Sequence, residues 1–176
     1  MTVLIGVLHK LRIKGDEKSK FEMEEVKYLY YLAEFLMNPT YSEIQNANSM
    51  RGNEVKKTPL VHSPTFSDLT GSEIYLKAEF QQKTGSFKMR GAYYKIKLLS
   101  SNEKKHGVVA ASAGNHAQGV AFASSLEKIP CTIVMPKNAS PSKVSATKGY
   151  GANVILEGIN YDESSAKAKE IAQETG

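Results

Sequence analysis

The sequence predicts an α/β fold with a parallel sheet in its C-terminal part, on three observations. From residue 107 onward, short apolar segments suited to strands alternate with longer segments suited to helices. The helical segments carry small residues on one face, which permits close packing against a sheet. Prolines and glycines separate the segments. This alternation is typical of right-handed strand–helix–strand units in a parallel sheet.

The N-terminal part is predicted to be mixed. Residues 1–20 form an apolar start and a charged linker, an extension to which we assign no function. Residues 21–37 show helical spacing of apolar side chains and stop at Pro39, and residues 42–50 fit a second short helix. An extended segment then begins at Thr58, a short helix or turn ends at Gly71, and residues 74–79 read as a strand.

The C-terminal part is predicted to contain three strands and three helices. The strands are residues 107–112, 131–135 and 153–156, and the helices are residues 116–127, 141–148 and 162–174. Two small-residue faces are expected to pack closely: Ala117, Val120, Ala121 and Ser124 in the first helix, and Ala168, Ile171 and Ala172 in the last.

Residues 84–92, TGSFKMRGA, follow a predicted strand and open a helix that reaches about residue 99. A hydroxyl of Thr84 or Ser86 is predicted to cap this helix. Lys88 and Arg90 lie in its first turn, where the helix dipole disfavours cations, and a local violation of this kind often marks a functional site. The dipole destabilises an ammonium, and a lysine must lose its proton before it attacks a carbonyl. The alternative is a solvated lysine at a helix start.

Residues 108–119, VVAASAGNHAQG, form a second motif in which a strand of small residues turns into a helix. The helix begins near His116 and points its free N–H groups into the turn formed by Ser112, Gly114 and Asn115. Such a turn is a natural anion site, and Gly114 lets the backbone approach a ligand closely.

Together the two motifs resemble those of the serine/threonine dehydratases (threonine ammonia-lyases), which are fold-type II pyridoxal-phosphate enzymes. In that family, G-S-F-K-x-R-G-A carries the Schiff-base lysine, and S-A-G-N-H-A-Q-G holds cofactor and substrate. Both motifs are intact here, and the resemblance covers about residues 58–176. It implies a tryptophan synthase β-like fold in which residues 21–104 belong to the large domain and residues 105–176 form a small α/β domain.

The resemblance also implies pyridoxal 5′-phosphate as cofactor and a small amino-acid substrate. Lys88 is expected to form the Schiff base and then to remove the substrate α-proton, while the cofactor ring serves as electron sink. Phe87 is expected to pack against that ring, and this role is compatible with its being a core aromatic. Asn115 is expected to donate to the cofactor 3′-oxygen. Members of the family assemble as dimers or tetramers, so a homo-oligomer is expected.

The turn after the second motif's strand is expected to hold the substrate carboxylate. The resemblance assigns this role to Ser112, Gly114 and Asn115, with His116 either in the substrate loop or a purely structural first-turn residue. Serine racemases that resemble this chain commonly carry a second proton donor, a serine, at position 113. Here that position is Ala113, which favours elimination over racemisation.

Composition excludes several other classes. The net charge of +5 is spread along predicted helices, so it predicts neither a nucleic-acid face nor a membrane surface. No apolar run is long enough to span a membrane, and the run at residues 3–8 lacks the features of a signal peptide. The four histidines have no metal-ligand spacing, so no metal site is expected. One cysteine, Cys131, fits a buried position in a protein of a reducing compartment such as the cytoplasm.

Two alternatives stay open besides loss of water from L-threonine or L-serine to give a 2-oxo acid and ammonia. The family binds the cofactor phosphate with a glycine-rich loop, and this sequence has no run of three glycines. It is therefore expected to be an N-terminal fragment that lacks most of the large domain, and it can be catalytically inactive. Serine racemase is the second alternative. A nicotinamide-binding domain is set aside, because no G-x-G-x-x-G turn follows a predicted strand.

Overall fold

The computed structural model describes residues 38–176. The predicted helix at residues 21–37 and the extension at residues 1–20 lie outside the described residues. The helices are α1 Tyr41–Ser49, α2 Pro64–Thr70, α3 Lys88–Lys97, α4 Ser101–His106, α5 Asn115–Glu127, α6 Pro141–Gly149 and α7 Tyr161–Thr175. The strands are β1 Leu60–His62, β2 Tyr75–Lys77, β3 Val108–Ala111, β4 Cys131–Met135 and β5 Asn153–Leu156.

A three-stranded parallel sheet in the order β3-β4-β5 organises the C-terminal part, as predicted. The central strand β4 is the most buried, because Ile133, Val134 and Met135 have no exposed surface. Cys131 begins this strand and is buried, as the sequence predicts. Burial raises the pKa of its thiol, so it behaves as a packing residue.

The helices of the C-terminal part pack on the sheet and form the core together with β4. Helix α5 packs on β3 and β4 and against α6, while α7 packs across β3 and β4. The predicted small-residue face of α5 is confirmed, since Ala117, Val120, Ala121 and Ser124 are all buried. The face of α7 is confirmed only in part, because Ala168 is buried and Ala172 is exposed.

Helix α3 carries the lysine motif and packs against α5. Its buried side chains are Met89, Ala92, Tyr93 and Ile96, which recur at the spacing of one helical face. They join the small residues of α5 in one apolar cluster. This contact fixes the lysine motif beside the second motif, although the two are separated in the sequence.

An antiparallel pair, β1 with β2, precedes the lysine motif. Both strands were predicted as extended segments, but their pairing was not, because three-residue strands with exposed side chains leave no clear alternation in the sequence. Helix α2 connects them, with the Ser63 hydroxyl accepting from the Phe66 N–H and Gly71 closing the helix in the left-handed conformation.

Within residues 38–176, none of the helices is both long enough and apolar enough to cross a bilayer.

Candidate functional site

The loop before Lys88 is a tight turn that leads directly into helix α3. The Gly85 N–H donates to the Gln82 carbonyl at 2.8 Å, and Gly85 has a φ of +69°, which favours glycine. Phe87 is the N-cap residue and already has helical angles. The predicted cap is therefore wrong: the buried hydroxyls of Thr84 and Ser86 find no hydrogen-bond partner among the described residues. The turn aims both hydroxyls inward, away from the first-turn N–H groups.

Lys88 is the first residue of α3, and its side chain is exposed. Its Nζ lies 5.0 Å from the centroid of the Phe87 ring. No ion pair of the described residues includes Lys88. Phe87 is 59% exposed, so its ring is not part of the apolar core formed by the described residues. The Lys88 amine and the Phe87 ring are therefore both accessible to a ligand.

Arg90, the other cation in the first turn of α3, has a structural role. Its Nε and Nη2 donate to the two carboxylate oxygens of Glu79 at 2.8 and 2.7 Å. Its Nη2 also donates to the Lys56 carbonyl at 3.1 Å, and the Thr58 hydroxyl donates to Glu79. The Arg90 guanidinium lowers the pKa of Glu79 to about 2. The helix dipole disfavours both cations in the first turn of α3. Arg90 is neutralised by Glu79, whereas Lys88 forms no ion pair with the described residues.

The turn between β3 and α5 presents free backbone donors. The Ser112 hydroxyl accepts from the N–H groups of Gly114 and Ala117 at 3.3 and 3.2 Å, which caps α5 from within the loop. The N–H groups of Asn115 and His116 have no acceptor among the described residues. Ser112 keeps its O–H for donation, so this turn offers three donors to an anion.

A glycine brings the two motifs into contact. A Cβ placed on Gly119, one turn into α5, would lie 3.2 Å from the backbone carbonyl carbon of Lys88 and 3.2 Å from the Met89 nitrogen. Only glycine permits this approach of α5 to the start of α3 without displacement. The proximity also affects His116, whose pKa is lowered by partial burial and by the positive charge of Lys88. The structure thus places Lys88 near the turn that contains Ser112, Gly114, Asn115 and His116.

Residues outside the motifs hold the lysine loop in place, and no sequence pattern pointed to them. The Tyr150 hydroxyl, after α6, donates to the Lys83 carbonyl at 3.1 Å. The Lys83 ammonium pairs with Glu54 at 2.5 Å and lies 5.6 Å from the centroid of the Phe122 ring. These partners are distant in the sequence, so only the folded chain reveals them.

The described residues fit the cofactor that the resemblance implies. Lys88 supplies an accessible amine for an aldehyde, Phe87 supplies a ring face, and the turn between β3 and α5 supplies free backbone donors near Lys88. The Thr84 and Ser86 hydroxyls are additional buried donors without partners. No cluster of three His, Cys, Asp or Glu side chains suited to a metal ion occurs within residues 38–176.

Comparison with known proteins identifies the family. The sequence pattern of the family described as "Pyridoxal-phosphate dependent enzyme" matches residues 53–176. The chain is 54% identical over 137 residues to the L-threonine ammonia-lyase of Thermotoga maritima, covering 78% of this chain and 34% of that protein. It is 47% identical over 135 residues to the catabolic L-threonine dehydratase TdcB of Staphylococcus aureus, covering 76% of this chain and 39% of that protein.

A solved structure of maize serine racemase superposes with a TM-score of 0.70 at 37% identity, over 76% of this chain and 40% of the racemase. The chain spans about a third to two fifths of the length of these relatives. The family match covers both the lysine loop and the turn between β3 and α5, and the predicted fold-type II architecture and pyridoxal-phosphate cofactor agree with it. The chain therefore belongs to the family of pyridoxal-phosphate-dependent enzymes.

Proposed function

We propose that this chain carries the cofactor lysine and the substrate-carboxylate turn of an ammonia-lyase that acts on L-threonine, L-serine or both. The proposal depends on the close approach of Gly119 to the backbone of Lys88, which places Lys88 beside the turn at the start of α5. A reactive amine and an anion site must be adjacent if one amino acid is to occupy both. The named relatives from Thermotoga maritima and Staphylococcus aureus support threonine as the substrate.

Each site residue then has a stated task. Pyridoxal phosphate, when bound, supplies the electron sink for the charge left at the substrate α-carbon. The Lys88 amine removes the α-proton, and the Phe87 ring shields the reacting face from water. The Asn115 side chain would donate to the 3′-oxygen of the bound cofactor. The substrate β-hydroxyl takes up one proton and leaves as water, while the electrons at the α-carbon form a Cα–Cβ double bond. Hydrolysis of this enamine product yields a 2-oxo acid and ammonia.

The β3–α5 turn fixes the substrate carboxylate. The Ser112 hydroxyl and the N–H groups of Asn115 and His116 are the donors, and Gly114 keeps the backbone open to the carboxylate. His116 contributes its backbone, and its lowered pKa keeps the imidazole uncharged beside Lys88 at neutral pH. Holding the carboxylate here aims the α-proton at the Lys88 amine, which is the positioning that proton transfer needs.

We also propose the domain division that the resemblance implies. Residues 105–176 form the small α/β domain, and residues 21–104 form the N-terminal part of a large domain. The parallel sheet β3-β4-β5 with its helices supports the first assignment, and the separate antiparallel pair β1 with β2 supports the second.

Serine racemase is a second candidate, and the similarity to the maize enzyme favours it. Ala113 disfavours it, because a methyl group cannot return a proton to the opposite face of the α-carbon. A catalytically inactive chain is a further alternative, which predicts that the cofactor bonds to Lys88 without turnover.

One assay separates these three outcomes. The chain is loaded with pyridoxal phosphate and supplied with L-threonine or L-serine, and the 2-oxo acid and D-serine are both measured. We expect 2-oxo acid from L-threonine, little D-serine, and a loss of at least about 1,000-fold in Lys88→Ala. D-Serine in excess of 2-oxo acid would establish the racemase. Cofactor bound at Lys88 with neither product would establish the inactive chain.

A further inference from the structure

The Lys143 side chain extends from helix α6 towards the turn between β3 and α5. It lies in the first turn of α6, which follows β4, while the turn opens α5 after β3. Because β3 and β4 are parallel neighbours, their carboxyl ends and the helices that follow begin at the same edge of the sheet. A Cβ placed on Gly114 would lie 3.2 Å from the Lys143 Nζ.

Among residues 38–176, no carboxylate balances the charge of Lys143, because none of their ion pairs includes it. The first turn of α6 contains no acidic residue, and a cation there is opposed by the helix dipole. The same helix carries Lys148 in its last turn, where the dipole favours a cation. Lys143 is half-buried, so solvent screens its charge less than that of a fully exposed lysine.

Lys143 resembles Arg90 in position but not in pairing. Both are cations in the first turn of a helix, and Arg90 is compensated by two hydrogen bonds to Glu79. The ammonium of Lys143 instead lies near Gly114, the residue that precedes Asn115 and His116, whose N–H groups have no acceptor among the described residues. An ammonium offers three donors and accepts none, so the group that completes this arrangement is an anion.

We propose that Lys143 is a cationic contact for the substrate carboxylate, which it binds together with the N–H groups of the β3–α5 turn. The proposal rests on the proposed function for the identity of the ligand. It assigns the two lysines different tasks: Lys88 reacts at the amino end of the substrate, and Lys143 holds the carboxylate end. The substrate class follows, because α-amino acids with a free carboxylate bind and their amides do not.

Titration of the isotope-labelled chain without cofactor tests this contact directly. L-Threonine and L-threoninamide are added at constant ionic strength, and the backbone amide signals of Gly114, Asn115 and Ala117 are followed by NMR. Lys143→Met removes the charge, Lys143→Arg keeps it, and Lys148→Met is the matched control on the same helix.

We expect saturable shifts with L-threonine and an affinity at least about tenfold lower for L-threoninamide. Lys143→Met should abolish this preference, Lys143→Arg should retain most of it, and Lys148→Met should leave it unchanged. Unaltered amide signals of β4 in Lys143→Met show that the sheet remains folded. If these signals change, the comparison of Lys143→Arg with the parent chain decides whether the charge at position 143 maintains the preference for L-threonine.

The proposal fails if Lys143→Met prefers L-threonine over L-threoninamide as strongly as the parent chain does, or if Lys148→Met loses this preference to the same extent as Lys143→Met. It also fails if Lys143→Arg loses the preference while its fold is intact. The absence of any saturable shift up to the solubility limit of L-threonine would likewise contradict it. Borohydride trapping of pyridoxal phosphate at Lys88, measured on the same samples, keeps the two hypotheses separate. Failure of trapping alone contradicts the proposed function, whereas loss of the carboxylate preference alone contradicts the role of Lys143.

Discussion

At the residue scale, the site depends on how closely α5 approaches the backbone of Lys88. Gly119 supplies this closeness, since it is buried and any side chain would press on the peptide unit between Lys88 and Met89. Gly91, on the exposed side of α3, has no atom within 4 Å of the position of a Cβ. The two glycines therefore have opposite predicted responses to substitution.

Gly119→Val is expected to destabilise the chain by about 1–3 kcal/mol, because two methyl groups must displace the start of α3. The same displacement moves Lys88 away from the β3–α5 turn, so cofactor loading at Lys88 should fall as well. Gly91→Ala should instead stabilise the chain by about 0.5–1 kcal/mol through helix propensity. Urea unfolding of both variants gives the two free energies. A Gly119→Val variant as stable as the parent chain would show that the contact is not tight.

At the element scale, the Glu79–Arg90 pair ties the start of α3 to the segment around Lys56 and Thr58. The pair is bidentate, and only a small part of the Glu79 side chain is exposed. Such geometry is worth more than that of an exposed pair such as Lys83–Glu54. We infer that the Glu79–Arg90 pair holds the first turn of α3 in position. An ion pair at Lys88 is therefore not required for this purpose, and the Lys88 amine stays available.

Glu79→Gln is expected to cost about 1–3 kcal/mol at pH 7, because Arg90 loses its counter-charge. The pKa of Glu79 is about 2 in the folded chain, against an ordinary value of 4.5. The pair therefore stabilises the fold fully above about pH 4.5, and this contribution disappears as the pH falls towards 2. The stability difference between the parent chain and Glu79→Gln should shrink over that window.

Urea unfolding at a series of pH values measures this difference. Glu54→Gln, which removes an exposed pair, is the control and should change stability by less than about 0.5 kcal/mol. A difference for Glu79→Gln that is constant from pH 7 to about pH 2 would contradict the role assigned to the pair.

At the scale of the whole chain, the parallel sheet could be predicted from the sequence with accurate boundaries. Strands β4 and β5 match their predicted limits, because Pro130, Pro136 and Gly151 mark where the apolar segments end. The family motifs likewise predicted which residues meet near Lys88. The cap at Thr84 or Ser86 was predicted wrongly, because a tight turn at Gly85 overrides the preference of hydroxyl side chains for helix starts. The roles of Gly119, Tyr150 and Lys143 could not be predicted, because they depend on contacts between distant segments.

Stability should be uneven along the described part of the chain. Strand β4 and helix α5 are largely buried, whereas β1 and β2 have only exposed residues and α2 has none that is buried. Backbone hydrogen bonds near solvent open more readily. Hydrogen exchange should therefore be slowest in β4 and α5 and much faster in residues 60–77. Equal protection in both regions would contradict this order.

Lys88 is the lysine that we propose bonds to pyridoxal phosphate. The chain is incubated with the cofactor, reduced with borohydride, digested and mapped by mass spectrometry. Lys83 and Lys95 are internal controls, because Lys83 is paired with Glu54 and Lys95 lies in the last turn of α3. We expect the label mainly on Lys88, and we expect it to be lost in Lys88→Ala. Label distributed over Lys83 and Lys95, unchanged by Lys88→Ala, would contradict it.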